Sequence, residues 1–401
     1  MKTIFLAAGK SSRMEPLSDK NFLEFCGEPL LIKLLKNAEN GGLKNFIIVA
    51  NKENREKIEN TLQKFSFTAD VVIQEEQKEG MAGGVLTGLQ ACDPEEEVVL
   101  LGGNDAIDPA IYKELLSVGG KADGALVAKS IDKYFPGGYL QITGKKITTI
   151  IEKPGEGNET SSLVNIVAHY FKKCGDLKGK LIALDLLKSG DAYEQALQVL
   201  LETREFHVVE YAGEWHAIKY PHHVLEMQEY WLSLLPKENE IHPSVVISDT
   251  ARIHGEQVYI KEGVKIFDNA VVCGPCFIGK NSVIGNNALV RESNIGEKNE
   301  IGFCSEIARS FLSQGASAHH AYIGDSIIDK NVNFGAFSCT ANLRLDKKDV
   351  KYLIKEERVS SGRTKLGAII GEGSQIGIHA MLMPGCKIDA NSFIAPGVVQ
   401  K

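Results

Sequence analysis

From Ile260 onward an aliphatic residue stands at every sixth position: Ile260, Ile266, Val272, Ile278, Ile284 and Val290. A step of five leads to Ile295, Ile301 and Ile307, and the spacing of six returns at Ile370, Ile376, Leu382, Ile388 and Ile394. Glycine often follows, as in Ile278-Gly279, Ile284-Gly285, Ile295-Gly296, Ile301-Gly302 and Ile376-Gly377. Helices repeat near 3.6 residues and strands at 2, so neither produces a period of six. A parallel β-helix does: the aliphatic residue points into a prism, and the corners take small residues or residues with positive φ. Residues 308–320 and 342–366 interrupt the period. The second interruption is charged and too long for a coil corner, so it is predicted to leave the prism, and such loops carry function.

The first 235 residues follow a different rule. Short apolar runs at 3–7, 46–50, 70–73 and 98–101 read as buried strands, and 29–40, 52–65 and 82–91 carry apolar residues at helical spacing. Strand–helix alternation implies a parallel sheet covered by helices, with ligands at the carboxyl ends of the strands. Residues 125–171 become β-rich, broken by Gly137-Gly138 and Pro154-Gly155, before helical patterns return at 180–188, 192–203 and 221–235. Pro236-Lys237-Glu238-Asn239 is a polar breaker and sets the expected domains at 1–236 and 237–401.

Composition excludes several functions. With 45 Lys+Arg against 52 Asp+Glu the net charge is −7, which offers no basic footprint for nucleic acid or an anionic membrane. No apolar run reaches the roughly 18 residues of a membrane span. The apolar N-terminus runs straight into a Gly/Ser loop, so it reads as a first strand rather than a signal segment. Eight scattered cysteines suit reduced thiols in a cytoplasm.

Leu6-Ala7-Ala8-Gly9-Lys10-Ser11-Ser12-Arg13-Met14 follows the first strand directly. Such a loop is either a simple turn or a cradle whose backbone N–H groups approach a phosphate. Arg13 and Lys20 could bring positive charge to a triphosphate. At these residues the chain resembles the nucleotidyltransferase family that joins sugar 1-phosphates to nucleoside triphosphates. The signature L-A-A-G-x-x-x-R-M, the Lys seven residues after the Arg, and the later G-x-P-L are matched here by Arg13, Lys20 and Gly27-Glu28-Pro29-Leu30. The resemblance implies a Rossmann-like mixed-sheet α/β domain. It implies nucleotide contacts from Leu6, Ala7, Ala8, Gly9, Gln74 and Gly80, with Arg13 and Lys20 catalytic. It also implies a Mg2+ at Asp105 and sugar-phosphate contacts from Gly138, Glu152 and Asn165. On its own, an Asp at a strand end reads as the cap of a helix over 109–116. The chain departs from the family pattern at Met81, where Thr is usual, and at Ala217, where many relatives carry a second carboxylate ligand. His216, His222 and His223 read as surface or capping histidines.

Ala318-His319-His320-Ala321-Tyr322-Ile323-Gly324-Asp325 resembles the H-x-x-Y-[IL]-G-D motif in the acetyltransferase half of the bacterial bifunctional enzymes that make UDP-N-acetylglucosamine. Alone, His319 is a polar loop residue. Within the motif it corresponds to the general base that deprotonates the sugar amine, a task that suits a group titrating near neutral pH. The resemblance implies that Tyr322, Asn333 and Asn342 line the sugar site and that Ala336 touches acetyl-CoA. It also implies that Arg291 and Lys365 hold the sugar phosphate. A further basic position is Ala308 here, with Arg309 beside it as a substitute. Asn342-Leu343-Arg344-Leu345-Asp346 and Gly362-Arg363-Thr364-Lys365-Leu366-Gly367 resemble the archaeal-type two-domain enzymes. Hexapeptide acyltransferases are left-handed parallel β-helices that trimerise and take an acyl-CoA between prisms. Cys273-Gly274-Pro275-Cys276 spells a redox motif but sits inside the repeat, where packing is expected.

The expected enzyme therefore condenses an N-acetylhexosamine 1-phosphate with UTP or dTTP, using Mg2+, and acetylates a hexosamine 1-phosphate from acetyl-CoA. It is expected to be a cytoplasmic homotrimer with no nucleic-acid or membrane partner. Two other readings fit the same residues: a protein with one working site, or a non-catalytic regulatory subunit.

Overall fold

The two periods give two kinds of architecture in the computed structural model, which describes residues 1–75, 80–183 and 191–401. Residues 1–10 and 31–215 form one compact unit; residues 11–30 and 216–401 form the other. The change of period at residue 236 and the packing boundary therefore lie at different places.

Among the described residues, the first unit is built on a nine-stranded sheet. Lys2–Leu6 runs parallel to Phe46–Ala50 on one side and Val98–Gly102 on the other, and Ala69–Ile73 extends the parallel half. Helices cover this half, so its strands are near-continuous apolar runs, and Phe46–Ala50 is buried throughout. Beyond Val98–Gly102 the sheet turns antiparallel at Leu163–Phe171 and continues through Gly124–Ser130, Phe206–Glu210, Lys146–Glu152 and Gly138–Thr143. The sheet is mixed. The helix expected at 52–65 spans Arg55–Lys64, because Asn51 and Asn54 bond each other's backbone N–H groups in a turn ahead of it. The helix expected at 180–188 is described as Cys174–Ala183, and the rest of that pattern lies outside the described residues.

In the second unit, among the described residues, three parallel eight-stranded sheets form the faces of a prism, each coil adding a short strand to every face. The aliphatic residues stack in columns: Ile260, Ile278, Ile295, Leu312, Ile328, Ile370 and Ile388 are in ladder register and buried. Corners are turned by residues with positive φ, among them Asn269, Asn281, Asn287 and Asn331. Asparagine tolerates that region better than most side chains.

The interruption at 308–320 is not a break in the prism. Phe311–Leu312 and Ser317–Ala318 are regular coil strands, and the inward positions are filled by Leu312 and Ala318. A small inward residue and steps of five hide the repeat without altering the fold. The interruption at 342–366 does leave the prism, as a hairpin of Lys351–Ile354 with Glu357–Ser360. Buried Tyr352 on this hairpin hydrogen-bonds His222 Nδ1 at 2.6 Å, and Arg363 pairs with Glu229 at 2.8 Å. The hairpin is thereby docked on the helix His223–Ser233, and the Ser233 carbonyl and the Leu235 carbonyl just beyond the helix accept hydrogen bonds from Gln257 Nε2. Cys276 of the redox-like tetrapeptide faces the prism core, and burial pushes its thiol up to about 12. A thiol held protonated packs and does not react.

Candidate functional sites

In the first unit, the strand-end loop is tied to its neighbours by carbonyls. Asn54 and Asn51 donate side-chain N–H groups to Ala7 O and Ala8 O at 2.9 Å each, and Ala7 N–H bonds Val49 O. Leu6 packs against the core, whereas Gly9 is exposed and nothing lies within 4 Å of where a Cβ would be. Gln74 and Gly80 come together: Gln74 Nε2 donates to Gly80 O at 2.9 Å, ahead of the helix Met81–Gln90. Gly80 has φ +92°, which favours glycine there. Met81 packs partly against the core. Arg13 and Lys20 lie on the segment 11–30 of the other unit, Arg13 exposed and Lys20 half-buried. Asp19 braces that segment by accepting from Ser11 Oγ, Asn21 N–H and Asn21 Nδ2 within 3.1 Å.

Asp105 does not cap the helix after it. The helix Ala110–Gly119 starts after Pro109, Asp108 accepts the Ala110 N–H at 2.7 Å, and Asp105 accepts the indole N–H of Trp215 at 2.8 Å. A Mg2+ commonly keeps several waters and uses one or two protein carboxylates plus substrate phosphates. One carboxylate steadied by a neutral donor fits that mode, and Ala217 can add no ligand.

Gly138, Glu152 and Asn165 are brought to one region of the sheet. Gly138 pairs with Glu152 across the ladder, and Tyr139 pairs with Val164. Behind Asn165 stands a relay that the sequence reading missed. His169 bonds Asn165 Oδ1 through Nε2 at 2.8 Å and Tyr193 Oη through Nδ1 at 2.6 Å. Burial pushes this imidazole down to about 3, so it is neutral, and holds the Tyr193 hydroxyl well above its usual range. Tyr193 O–H therefore donates to Nδ1, Nε2–H donates to Asn165 Oδ1, and the Asn165 amide hydrogens remain as its donors. Beside Glu152, burial and the Glu152 charge raise Glu194 to about 7. A histidine inside the apolar strand Leu163–Phe171 was the available sequence signal.

In the second unit, Arg291, Glu306, Tyr322 and Asn342 belong to successive coils on one face of the prism or to its edge. Arg291 is held by Glu306 at 2.7 Å. Arg309 forks onto buried Asp325, with both bonds at 2.8 Å. The Asn342 amide donates to Asp325 and, at 3.2 Å, to Tyr322 Oη, which leaves its carbonyl oxygen as the group for a ligand. Gly324 makes room for this network: a Cβ there would lie 2.6 Å from Tyr322 Oη and 2.8 Å from Asn342 Nδ2. His319 is exposed at the corner leading into the Tyr322–Gly324 strand, and its backbone N–H bonds Phe334 O. Asn333 lies on the adjacent face, accepting from Ser317 Oγ. Ala336 is half-buried and its carbonyl accepts the His379 N–H; Lys365 is exposed beside Leu343.

Between the hairpin and the last coils lies a cavity of about 840 Å3, starting at Ala341 and bearing Arg344, Lys351, Arg358, Lys387 and Lys401. No motif signalled it, because its cations come from three separated stretches.

Among the described residues, one cluster brings metal-ligating atoms within 4.8 Å of one another: His222, His223 and Glu226. Its hydrogen bonds oppose a metal. His223 Nδ1 accepts the N–H groups of Lys219 and Tyr220 at 3.1 Å, which puts its proton on Nε2. Burial pushes His222 down to about 2 and His223 to about 4. The expectation was of surface or capping histidines: His222 stands at the N-cap position of the helix His223–Ser233 but is buried against Tyr352, His223 is half-buried on the Lys219 and Tyr220 backbone, and His216 stacks on Tyr230 at 4.5 Å.

Residues 3–229 match the MobA-like NTP transferase domain family, and residues 367–399 match the bacterial transferase hexapeptide (six repeats) family. The sequence is 30% identical to a bifunctional sugar-1-phosphate nucleotidylyltransferase/acetyltransferase of Sulfurisphaera tokodaii, over 100% of this chain and 97% of that protein. It is 33% identical to the bifunctional protein GlmU of Methanococcus maripaludis and 30% identical to that of Methanocaldococcus jannaschii, in both cases over 98% of this chain and 93% of the relative.

Proposed function

We propose a function from one premise: this chain belongs to the family of bifunctional sugar-1-phosphate nucleotidylyltransferase/acetyltransferases, with a MobA-like NTP transferase domain followed by a left-handed β-helix of hexapeptide repeats. It is a transferase of sugar-nucleotide biosynthesis with two activities.

In the first, an N-acetylhexosamine 1-phosphate oxygen attacks the α-phosphorus of UTP or dTTP, and pyrophosphate leaves. Leu6, Ala7, Ala8 and Gly9 approach the phosphates, Gln74 and Gly80 the base, and Arg13 and Lys20 neutralise the charge that develops. Gly138, Glu152 and Asn165 hold the sugar phosphate, Asn165 as a donor. Asp105 would hold a Mg2+, which when bound supplies charge neutralisation along the triphosphate.

In the second, His319 takes a proton from the amine of a hexosamine 1-phosphate. The amine nitrogen bonds to the thioester carbonyl of acetyl-CoA, the C–S bond breaks, and the proton passes to the leaving thiolate. Tyr322, Asn333 and the Asn342 carbonyl orient the sugar, with Arg291 and Lys365 at its phosphate and Ala336 against the acyl donor. The observation that carries this reading is the braced Asn342–Tyr322 pair, whose tyrosine belongs to the same motif as His319, next to a cavity lined by five cations and by Asp346, which pairs with Arg344. That charge suits the phosphates of a nucleotide-bearing acyl donor. A ladder of Phe303, His320, Phe337 and His379 climbs the prism beside His319, with Phe303 and Phe337 each 54% exposed. Two further copies of the chain would cover it in a homotrimer.

Two assays test the proposal. Pyrophosphate release from UTP plus N-acetylglucosamine 1-phosphate is expected to need Mg2+ and to vanish in Asp105→Ala. Thiol release from acetyl-CoA plus glucosamine 1-phosphate is expected to collapse in His319→Ala, each variant keeping the other activity. A wild-type chain inactive in both, across several sugar phosphates, overturns the proposal. Among the described residues, no helix is long and apolar enough to cross a membrane.

A further inference from the structure

The outward positions of one prism face are not those of a solvated β-helix. Tyr259, Phe277, Asn294, Phe311, Ile327 and Ile369 follow one another in register on successive coils, each pointing away from the prism core. None is more than 6% exposed. Leu232 covers the Tyr259 and Phe277 end. The segment 11–30, which carries Arg13 and Lys20, packs on Phe277, Asn294 and Phe311.

The attachments are specific. Phe25, fully buried, packs on Phe311 with ring centroids 5.1 Å apart. Gly27, with φ +82°, lies against the Phe277 ring, 2.9 Å from where its Cβ would be. Asn294 pairs with the segment as a strand edge would, accepting the Cys26 N–H at 2.7 Å and donating to Glu24 O at 3.2 Å. Two residues before Lys20, the Ser18 N–H donates to Asp329 Oδ2 at 2.7 Å and its hydroxyl reaches Oδ1 at 3.4 Å. The Asp329 carboxylate is buried, and a backbone N–H bonded to a charged acceptor is held more strongly than one bonded to a neutral group.

We infer that this face of the acetyltransferase prism is the positioning scaffold of the nucleotidyl-transfer cations, and that Asp329 is a positioning residue for a reaction whose substrates it does not touch. The inference rests on the reading that Arg13 and Lys20 act on the triphosphate. A cation contributes to phosphoryl chemistry only when its loop is held in place, and a displacement of about 1 Å can lower a rate about a hundredfold. Nucleotidyl transfer by this chain therefore depends on a surface that the acetyl-transfer chemistry does not use. A cut at residue 236 would remove that surface.

The test uses the full chain. Asp329→Ala is expected to lower kcat/KM for UTP in pyrophosphate release by at least about tenfold. Thiol release from acetyl-CoA and the thermal midpoint should stay unchanged. Asp329→Asn, which keeps an oxygen acceptor for the Ser18 N–H, should recover most of the loss. Unaltered UTP kinetics in Asp329→Ala overturn the inference. Parallel loss of both activities and of the thermal midpoint also overturns it, since the residue is then merely structural. Arg13→Ala and Lys20→Ala, run alongside, separate the two ideas. Lost activity in these with retention in Asp329→Ala removes the inference alone. Retention in Arg13→Ala and Lys20→Ala removes the underlying reading with it.

Discussion

Two asparagines proposed for sugar sites are oriented in opposite senses by their buried partners. The neutral His169 turns Asn165 into a donor, whereas Asp325 turns Asn342 into an acceptor. Tyr193→Phe removes the hydroxyl that fixes the His169 tautomer. A lost buried hydrogen bond of about 1 kcal/mol should raise KM for the sugar phosphate in pyrophosphate release roughly fivefold, with kcat and thiol release little changed in steady-state kinetics. Glu194 supplies a pH signature. Its carboxyl rises from 4.5 to about 7, so the folded chain keeps a proton that the unfolded chain has released between these values. Its stabilising effect is complete below pH 4.5 and is lost as the pH climbs through 7. Glu194→Gln should match wild type in urea unfolding near pH 4.5 and exceed it at pH 8 by at most about 3 kcal/mol. The residue types at these sites were readable in the sequence, but their orientation was not. An amide's donor or acceptor role depends on a partner it meets only in the fold.

The element that most shapes the second candidate site is the hairpin excursion at 342–366. Its neck is tied at both strands: Asn342 to the Asp325 carboxylate, and the Gly367 N–H to Asp325 O at 2.8 Å. Its far part is held by Tyr352 on His222 and by Arg363 on Glu229. Tyr352→Phe removes one of these bonds, worth about 1 kcal/mol net. Faster amide exchange across Lys351–Ile354 and Glu357–Ser360, with unchanged exchange in the prism, is the expected result. Charge and length predicted this excursion correctly, because a prism corner accommodates only a few residues. The lapse of the period at 308–320 has another cause: Ala318 takes an inward position and looks like a gap in an aliphatic pattern.

At the scale of the molecule, exposed aromatic surface beside His319 predicts assembly. On the proposed homotrimer, Phe337→Glu places charge in the ladder and should shift the sedimentation mass from three chains to one, with thiol release lost. The acidic chain also places its cations beside carboxylates: Arg291, Arg309 and, at the cavity, Arg344 are paired with Glu306, Asp325 and Asp346. The two architectures are legible in the sequence, since a period of six or of 3.6 is imposed on neighbouring residues by backbone geometry. So are the motifs, which are contiguous strings. What the tertiary structure adds is that residues 11–30 pack on a prism far along the chain, that Arg309 meets Asp325, and that His169 stands behind Asn165. These outcomes depend on which buried groups must find partners when distant surfaces meet, and spacing along the chain carries no record of that choice.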